Sequence, residues 1–203
     1  MGSIVTGLRS GWLSADLLDK GQAQDLQIYA PSLAYLPQGS PLVLASLPVI
    51  NWNDCLLEAL RTHREKRQLS AYAAMAMVDP FACWEDFADA LRDRDVTGVI
   101  NFPPASVNEQ PPAGGTIEPG QDLELRRLEW FGSLGFRTIF ATFTSSIIPA
   151  AKERLKMSLD GILHVQPAAL EISISDRLEL VTGDAPSTKE HALPIFELAG
   201  HRA

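Results

Sequence analysis

From residue 73 onward the chain alternates between short apolar runs and amphipathic stretches. Residues 73–78 are an apolar run closed by Asp79-Pro80, the length and composition of a buried strand. Trp84, Phe87, Ala88 and Leu91 then recur at i, i+3, i+4 and i+7, which predicts a helix with one apolar stripe. Residues 96–100 form a second apolar run that ends at Asn101, ahead of Phe102-Pro103-Pro104. Strand, helix and strand in this order make the βαβ unit of a parallel sheet. The rhythm continues with a helix opened by Asp122, which turns Leu125, Leu128 and Phe131 inward. A strand over 138–141 follows and ends at Thr142. Ser145 or Ser146 caps a further helix, with Ile148, Ala151 and Leu155 on one face, and a strand over 160–163 ends at His164.

The flanks are less regular. Residues 4–7 read as a first strand, 13–21 as a helix stopped by Gly21, and 25–29 as a second strand closed by Ala30-Pro31-Ser32. Residues 33–40 read as loop, and 42–45 as a strand or a buried helical turn. Asn53 or Asp54 caps a helix expected to reach Arg67. Between 103 and 120, five prolines and three glycines predict a long loop. Beyond Pro167 the period changes: Leu170, Ile172 and Ile174 alternate with polar residues, and Leu178 and Leu180 follow a Ser-Asp-Arg turn. Period-two alternation on both sides of a short turn predicts a hairpin with one wet face. The last residues, 191–203, read as a tail without a helix.

Polar residues stand where the predicted strands end: Tyr29, Asp79, Asn101, Thr142 and His164. Ligands of parallel α/β folds bind outside the carboxyl ends of the strands, so this shared position makes them candidates. An aspartate there suits Mg²⁺, an asparagine orients a carboxylate or carbonyl, and a histidine acts as acid, base or ligand. The competing reading is structural for each: Asp79-Pro80 is a good turn, Asn101 a good loop cap and His164 a plausible core histidine. No dinucleotide fingerprint, phosphate loop, zinc-protease helix or nucleophile elbow occurs.

Composition narrows the classes. A chain of 203 residues with 46% apolar and 21% charged residues suits one globular domain. A net charge of −8 argues against nucleic acid and anionic membrane as partners, while leaving room for a small anionic metabolite at a helix N-terminus. Cys55 and Cys83 belong to no metal-spacing cluster. No apolar run approaches the roughly 20 residues of a membrane span, and Met1-Gly2-Ser3-Ile4 lacks the basic start of a secretory signal. These features predict a cytoplasmic protein.

The stretch MVDPFACWEDFADALRDRDVTGVINFPPASV resembles the block of the phosphoenolpyruvate hydrolase-like TIM-barrel family that runs GxxGTDPF, a helix, then GVQNFPTVG. Ile4-Val5-Thr6-Gly7 resembles that family's GTG start. Residues 25–39, 123–128, 138–144 and 159–164 resemble further family segments in the same order, so the likeness spans roughly residues 4 to 167. The resemblance implies Mg²⁺ chemistry on a 2-oxo acid or phosphoenolpyruvate-like substrate, by a lyase or hydrolase. Asp79 would hold the metal, Asp79 and His164 would be catalytic, and Asn101, Tyr29, Ser32 and Thr142 would bind substrate. The family's HGGP and GASS strands, which close the barrel, have no counterpart after Pro167, and the loop after Tyr29 is contracted to Ala30-Pro31. The expected fold is therefore α/β, an incomplete TIM-like (β/α) barrel with a C-terminal β-hairpin. Exposed sheet edges would need cover, which implies a homo-oligomer or a partner chain completing the barrel. The alternative function is a non-catalytic relative that binds a ligand or a partner protein.

Overall fold

A computed structural model describes residues 10–16, 25–62, 69–108, 119–182 and 193–199. Eight strands close into one barrel: β1 (Ser10–Ser14), β2 (Leu26–Tyr29), β3 (Leu69–Met75), β4 (Val96–Asn101), β5 (Arg137–Thr142), β6 (Leu159–His164), β7 (Arg177–Thr182) and β8 (Ile195–Leu198). Strands β1 to β6 are parallel neighbours in chain order, and β8 lies parallel to β6. Strand β7 runs antiparallel between β8 and β1 and completes the ring. Four helices lie among the described residues: α1 (Trp52–Thr62), α2 (Trp84–Asp93), α3 (Pro119–Ser133) and α4 (Ile148–Leu155).

This corrects the expected fold. The barrel is closed and mixed, mostly sheet, with four short helices, and is neither an alternating (β/α) TIM barrel nor an incomplete one. The predicted hairpin is also redrawn. Residues 167–171 form a 3₁₀ turn, and Ile172 and Ile174 exchange backbone bonds with residues 39–42 instead of pairing with β7. Strand β8, which joins β6 to β7 in the ring, lies inside the stretch expected to be tail. At the N-terminal side, Leu13 and Ser14 belong to β1 and not to a helix. The strand expected over 4–7, the end of the helix expected over 13–21, and residues 63–67 of the helix expected to reach Arg67 lie outside the described residues. The open-edge argument for an oligomer falls with the open barrel, because closure pairs every edge.

Period-two alternation sorts the sheet residues into two cores. Leu13, Ile28, Ala74, Ile100, Leu163 and Phe196 point into the barrel. Ala73, Met75, Val99, Phe140 and Ile162 point outward, under the apolar stripes of the helices, where they meet Leu56, Phe87, Leu128 and Ala151. The predicted stripes of α2 and α3 are the faces buried here: Phe87, Ala88 and Leu91, and Leu125, Leu128 and Phe131. Strand β7 alternates exposed and buried residues.

Two register shifts shape the end where the parallel strands begin. One lies between Leu69 and Tyr72 on β3, the other opposite Thr138 and Ile139 on β6. The second gives β6 an extra residue, Asp160, and β-bulges re-aim side chains in this way. Asp160 accepts hydrogen bonds from the Tyr72 hydroxyl and from the Arg137 guanidinium, whose Nε lies 2.8 Å away. This three-residue network ties β3, β5 and β6 together. The opposite end, where the parallel strands finish, is the mouth of the barrel.

Candidate functional site

The mouth is filled. The 3₁₀ turn Pro31–Tyr35 after β2 places Leu33 over the barrel axis, and a second turn, Leu42–Ser46, adds Leu42 and Ala45. Residues 39–42 and 172–174 form a small antiparallel ribbon across the opening, with Leu42 N–H donating to Ile172 O at 2.8 Å and Ile174 N–H to Ser40 O at 2.7 Å. Beneath it, Trp52 packs on Phe102 with ring centroids 5.8 Å apart. The Trp52 indole N–H donates to the Ala74 carbonyl at 3.0 Å, so the plug is also hydrogen-bonded to the barrel wall. Burial of both aromatic rings makes this plug a large contribution to the interior.

Around the plug, side chains continue the sheet where its backbone ladder ends. The β4–β5 register ends at Ile100 opposite Ile139. Asn101 takes over: its amide N–H donates to Ala141 O at 2.8 Å, and its Oδ1 accepts from Ala141 N–H at 2.7 Å. Asn53 does the same beyond the end of β3, where its Oδ1 accepts from Ala76 N–H at 2.9 Å and its Nδ2 donates to Ala76 O at 3.0 Å. Both asparagines are fully buried, and each satisfies a backbone N–H and C=O that burial would otherwise penalise.

Asp79 sits at the edge of this arrangement, half-buried. Its Oδ1 accepts from Phe81 N–H at 2.9 Å, an Asx turn, and its Oδ2 accepts from Asn53 Nδ2 at 3.0 Å. Arg127 reaches over from α3, stacks on Trp84 at 4.3 Å, and donates to the carbonyls of Met77 and Asp79. Burial works against the Arg127 charge, while Asp79 and Glu124 support it. The groups bonded to the Asp79 carboxylate are thus N–H donors, which add no oxygens for a cation. Among the described residues, no group of three or more His, Cys, Asp and Glu side chains is placed to hold a metal ion.

The remaining candidates are dispersed. Ser32 is buried and donates to Trp52 O at 2.8 Å, fixing the turn that carries Leu33. Thr142 is buried in a local turn in which Thr144 N–H donates to its hydroxyl at 3.0 Å. Tyr29 points away from the barrel axis into the outer core. It borders a shallow groove lined by Trp12, Ser14, Asp16 and Gln27, and burial followed by the nearby Asp16 pushes its phenol up to about 12. His164 also faces outward, on β6, where its Nδ1 lies 3.7 Å from Glu197 of β8. Asp79, Asn101 and His164 therefore share one end of the sheet but not one site: the first lies on the rim, the second is enclosed between strands, and the third is on the outer wall. The sequence did not single out Asn53, Trp52 or Arg127 as functional. The cap expected at Asn53 or Asp54 is instead Asn51, whose side chain accepts from Asp54 N–H at 3.1 Å, while Asn53 and Asp54 lie inside α1.

The rim carries a feature of a different kind. Five large apolar residues are exposed on the loops after β2 and β3: Tyr35, Leu47, Val49, Val78 and Phe81, the last of them 93% exposed. The two loops are joined by the Asn53 bonds to Ala76 and Asp79, and the first is held to residue 108 by Asn108 Nδ2 donating to Ser46 O at 2.9 Å. Comparison of the chain with protein-family models and with curated proteins gave no match.

Proposed function

We propose that this barrel is a non-catalytic binding module that engages a partner protein across its mouth. The observation that carries this reading is the pairing of a filled mouth with an apolar rim. The position where parallel barrels hold substrate is occupied by Trp52, Phe102, Leu33 and Ile174, while Phe81 and its neighbours stand in water. Several large apolar side chains exposed at one end of a fold support an interaction role. Asn101, the candidate for substrate binding, is spent on backbone pairing, as is Asn53, which supports a scaffold role for both. Cys55 and Cys83 are both free, in keeping with a reducing, cytoplasmic setting. No helix among the described residues is long and apolar enough to cross a membrane.

Site-specific photocross-linking tests the reading. A benzophenone side chain at position 81 should give a discrete protein adduct in a lysate of the source cell, and the same probe at position 157, exposed at the other end of the barrel, should not. No adduct, or the same adducts from both positions, would overturn it. A parallel thermal-shift series with phosphoenolpyruvate, oxaloacetate and phosphonopyruvate should show no Mg²⁺-dependent rise in Tm. A rise that Asp79→Ala abolishes would restore the Mg²⁺-dependent lyase or hydrolase in its place.

A further inference from the structure

The charge around the rim says what kind of surface it fits. The described loops at the mouth, residues 30–54, 76–85, 102–108, 143–147 and 165–176, contain no lysine or arginine. They carry Asp54, Asp79, Glu85, Glu171 and Asp176. Two arginines at this end are engaged: Arg127, from α3, is part-buried against Trp84 and committed to two carbonyls, and Arg177, at the start of β7 opposite Ser14, lies over the Trp12 ring at 3.3 Å. The described arginines of α1, α2 and β5, among them Arg61, Arg92 and Arg137, lie toward the opposite end, where the helices finish and the parallel strands begin. The charged side chains of the rim loops themselves are all acidic, and the arginines Arg127 and Arg177 beside them are held against indole rings.

From this we infer that the partner presents a basic amphipathic segment, an apolar stripe flanked by lysine or arginine. The inference rests on the proposed binding function and names the chemistry of its occupant. Apolar side chains of the segment cover Leu47, Val49, Val78 and Phe81, and its flanking cations meet the acidic side chains of the loops, the complementarity that steers association and rejects wrong partners. A second copy of this chain is the wrong occupant for this face. An isologous contact would set the same acidic loops against each other, and like charges across an interface oppose binding.

Fluorescence anisotropy with three designed amphipathic helices, each with a leucine face and a polar face of lysine, glutamate or glutamine, tests the charge and the site together. The lysine helix should bind the full chain most tightly, and its affinity should fall steeply as salt is raised from about 0.01 to 1 M, as the screening length shrinks from roughly 30 to 3 Å. Phe81→Asp should weaken it at least tenfold. That variant makes the rim more acidic, so non-specific attraction of a basic helix predicts the opposite change. Met157→Asp, at the far end, should leave affinity within twofold. Equal or tighter binding of the glutamate or glutamine helix, still lost in Phe81→Asp, would overturn the basic partner and leave the rim as a binding face. Failure of all three helices to bind, or binding indifferent to Phe81→Asp, would overturn both.

Discussion

At the scale of single residues, the decisive pieces are two asparagines that behave as extra peptide groups. Asn53 and Asn101 each offer one donor and one acceptor to a single strand residue, Ala76 and Ala141, and so extend the sheet without extending the backbone. Asn101→Ala should leave a buried N–H and C=O of Ala141 unsatisfied and cost about 2–4 kcal/mol, read as a lower urea midpoint with unchanged m. A loss below about 0.5 kcal/mol would mean that the amide is not held as described. Polar residues at strand ends were legible in the sequence, but their use was not. A periodicity shows that Asn101 ends a strand, and only the neighbouring strand shows whether the amide faces a ligand or a backbone. Two tyrosines make a pH prediction. Burial and Asp16 hold the Tyr29 phenol near pH 12, and burial with the adjoining Asp160 holds that of Tyr72 well above its ordinary range. Unfolded tyrosines ionise near pH 10, so above that pH the unfolded chain has lost protons that the folded chain keeps. Stability should thus be level in these groups below pH 9 and fall as pH rises through 10 toward 12. Tyr72→Phe should make that fall shallower in urea titrations across the same range, though its stability at neutral pH drops with the lost bond to Asp160.

At the scale of elements, the strand–helix alternation from residue 73 was readable because each helix carries a stripe and each buried strand a continuous apolar run. Strand β8 was not. It has four residues, Ile195–Leu198, and alternation over so short a span does not stand out from a tail. The reversed direction of β7 was hidden for another reason: Ile172 and Ile174 alternate as a hairpin arm would, but they are used to pair with residues 39–42 over the mouth. Close approach between strands is visible at Gly98, where a Cβ would lie 2.2 Å from the Arg137 carbonyl oxygen and 2.9 Å from the Tyr72 ring. Gly98→Ala must therefore push β4 off β5 or tilt Tyr72 away from Asp160, and should cost about 1–3 kcal/mol or more. Loss of amide exchange protection in β5 would accompany it, whereas a change confined to residue 98 would show that the strands have room to spare. Helices α3 and α4 are clamped by Arg154, which donates to Asp122 at 2.7 Å and to both oxygens of Glu129. The Asp122 carboxyl is held below its ordinary range by the bond from Arg126 first and from Arg154 second, and that of Glu129 by Arg154. Their contribution is present above the ordinary carboxylate range and lost as pH falls below it, so Arg154→Ala should lower stability at pH 7 more than at pH 3.

At the scale of the whole molecule, closure is what turns these elements into one structure. Strand β8 bonds to β6 on one side and β7 on the other, and β7 passes the ring to β1, so the first and last described strands stand one strand apart. Such a ring has no natural place to come apart in stages. One of its two shortest strands, β8, is secured by Phe196, which is fully buried in the barrel and lies against the open side of Gly161: a Cβ there would come within 3.1 Å of the ring. If β8 were an add-on, truncating Phe196 would release it alone, leaving the other seven strands folded with the edges of β6 and β7 bare. Closure predicts otherwise. Phe196→Ala should cost about 3–5 kcal/mol, the range for emptying a buried aromatic site, and the cost should appear everywhere at once. The four tryptophans report from different places: Trp12 on β1, Trp52 in the mouth, and Trp84 and Trp130 among the helices. Tryptophan fluorescence and far-UV circular dichroism should therefore shift to a lower urea midpoint together and remain superimposable in the variant, as a single cooperative transition requires. Two separated transitions, the earlier one lacking any change in helix signal, would show that β8 is a detachable flap on a seven-stranded sheet.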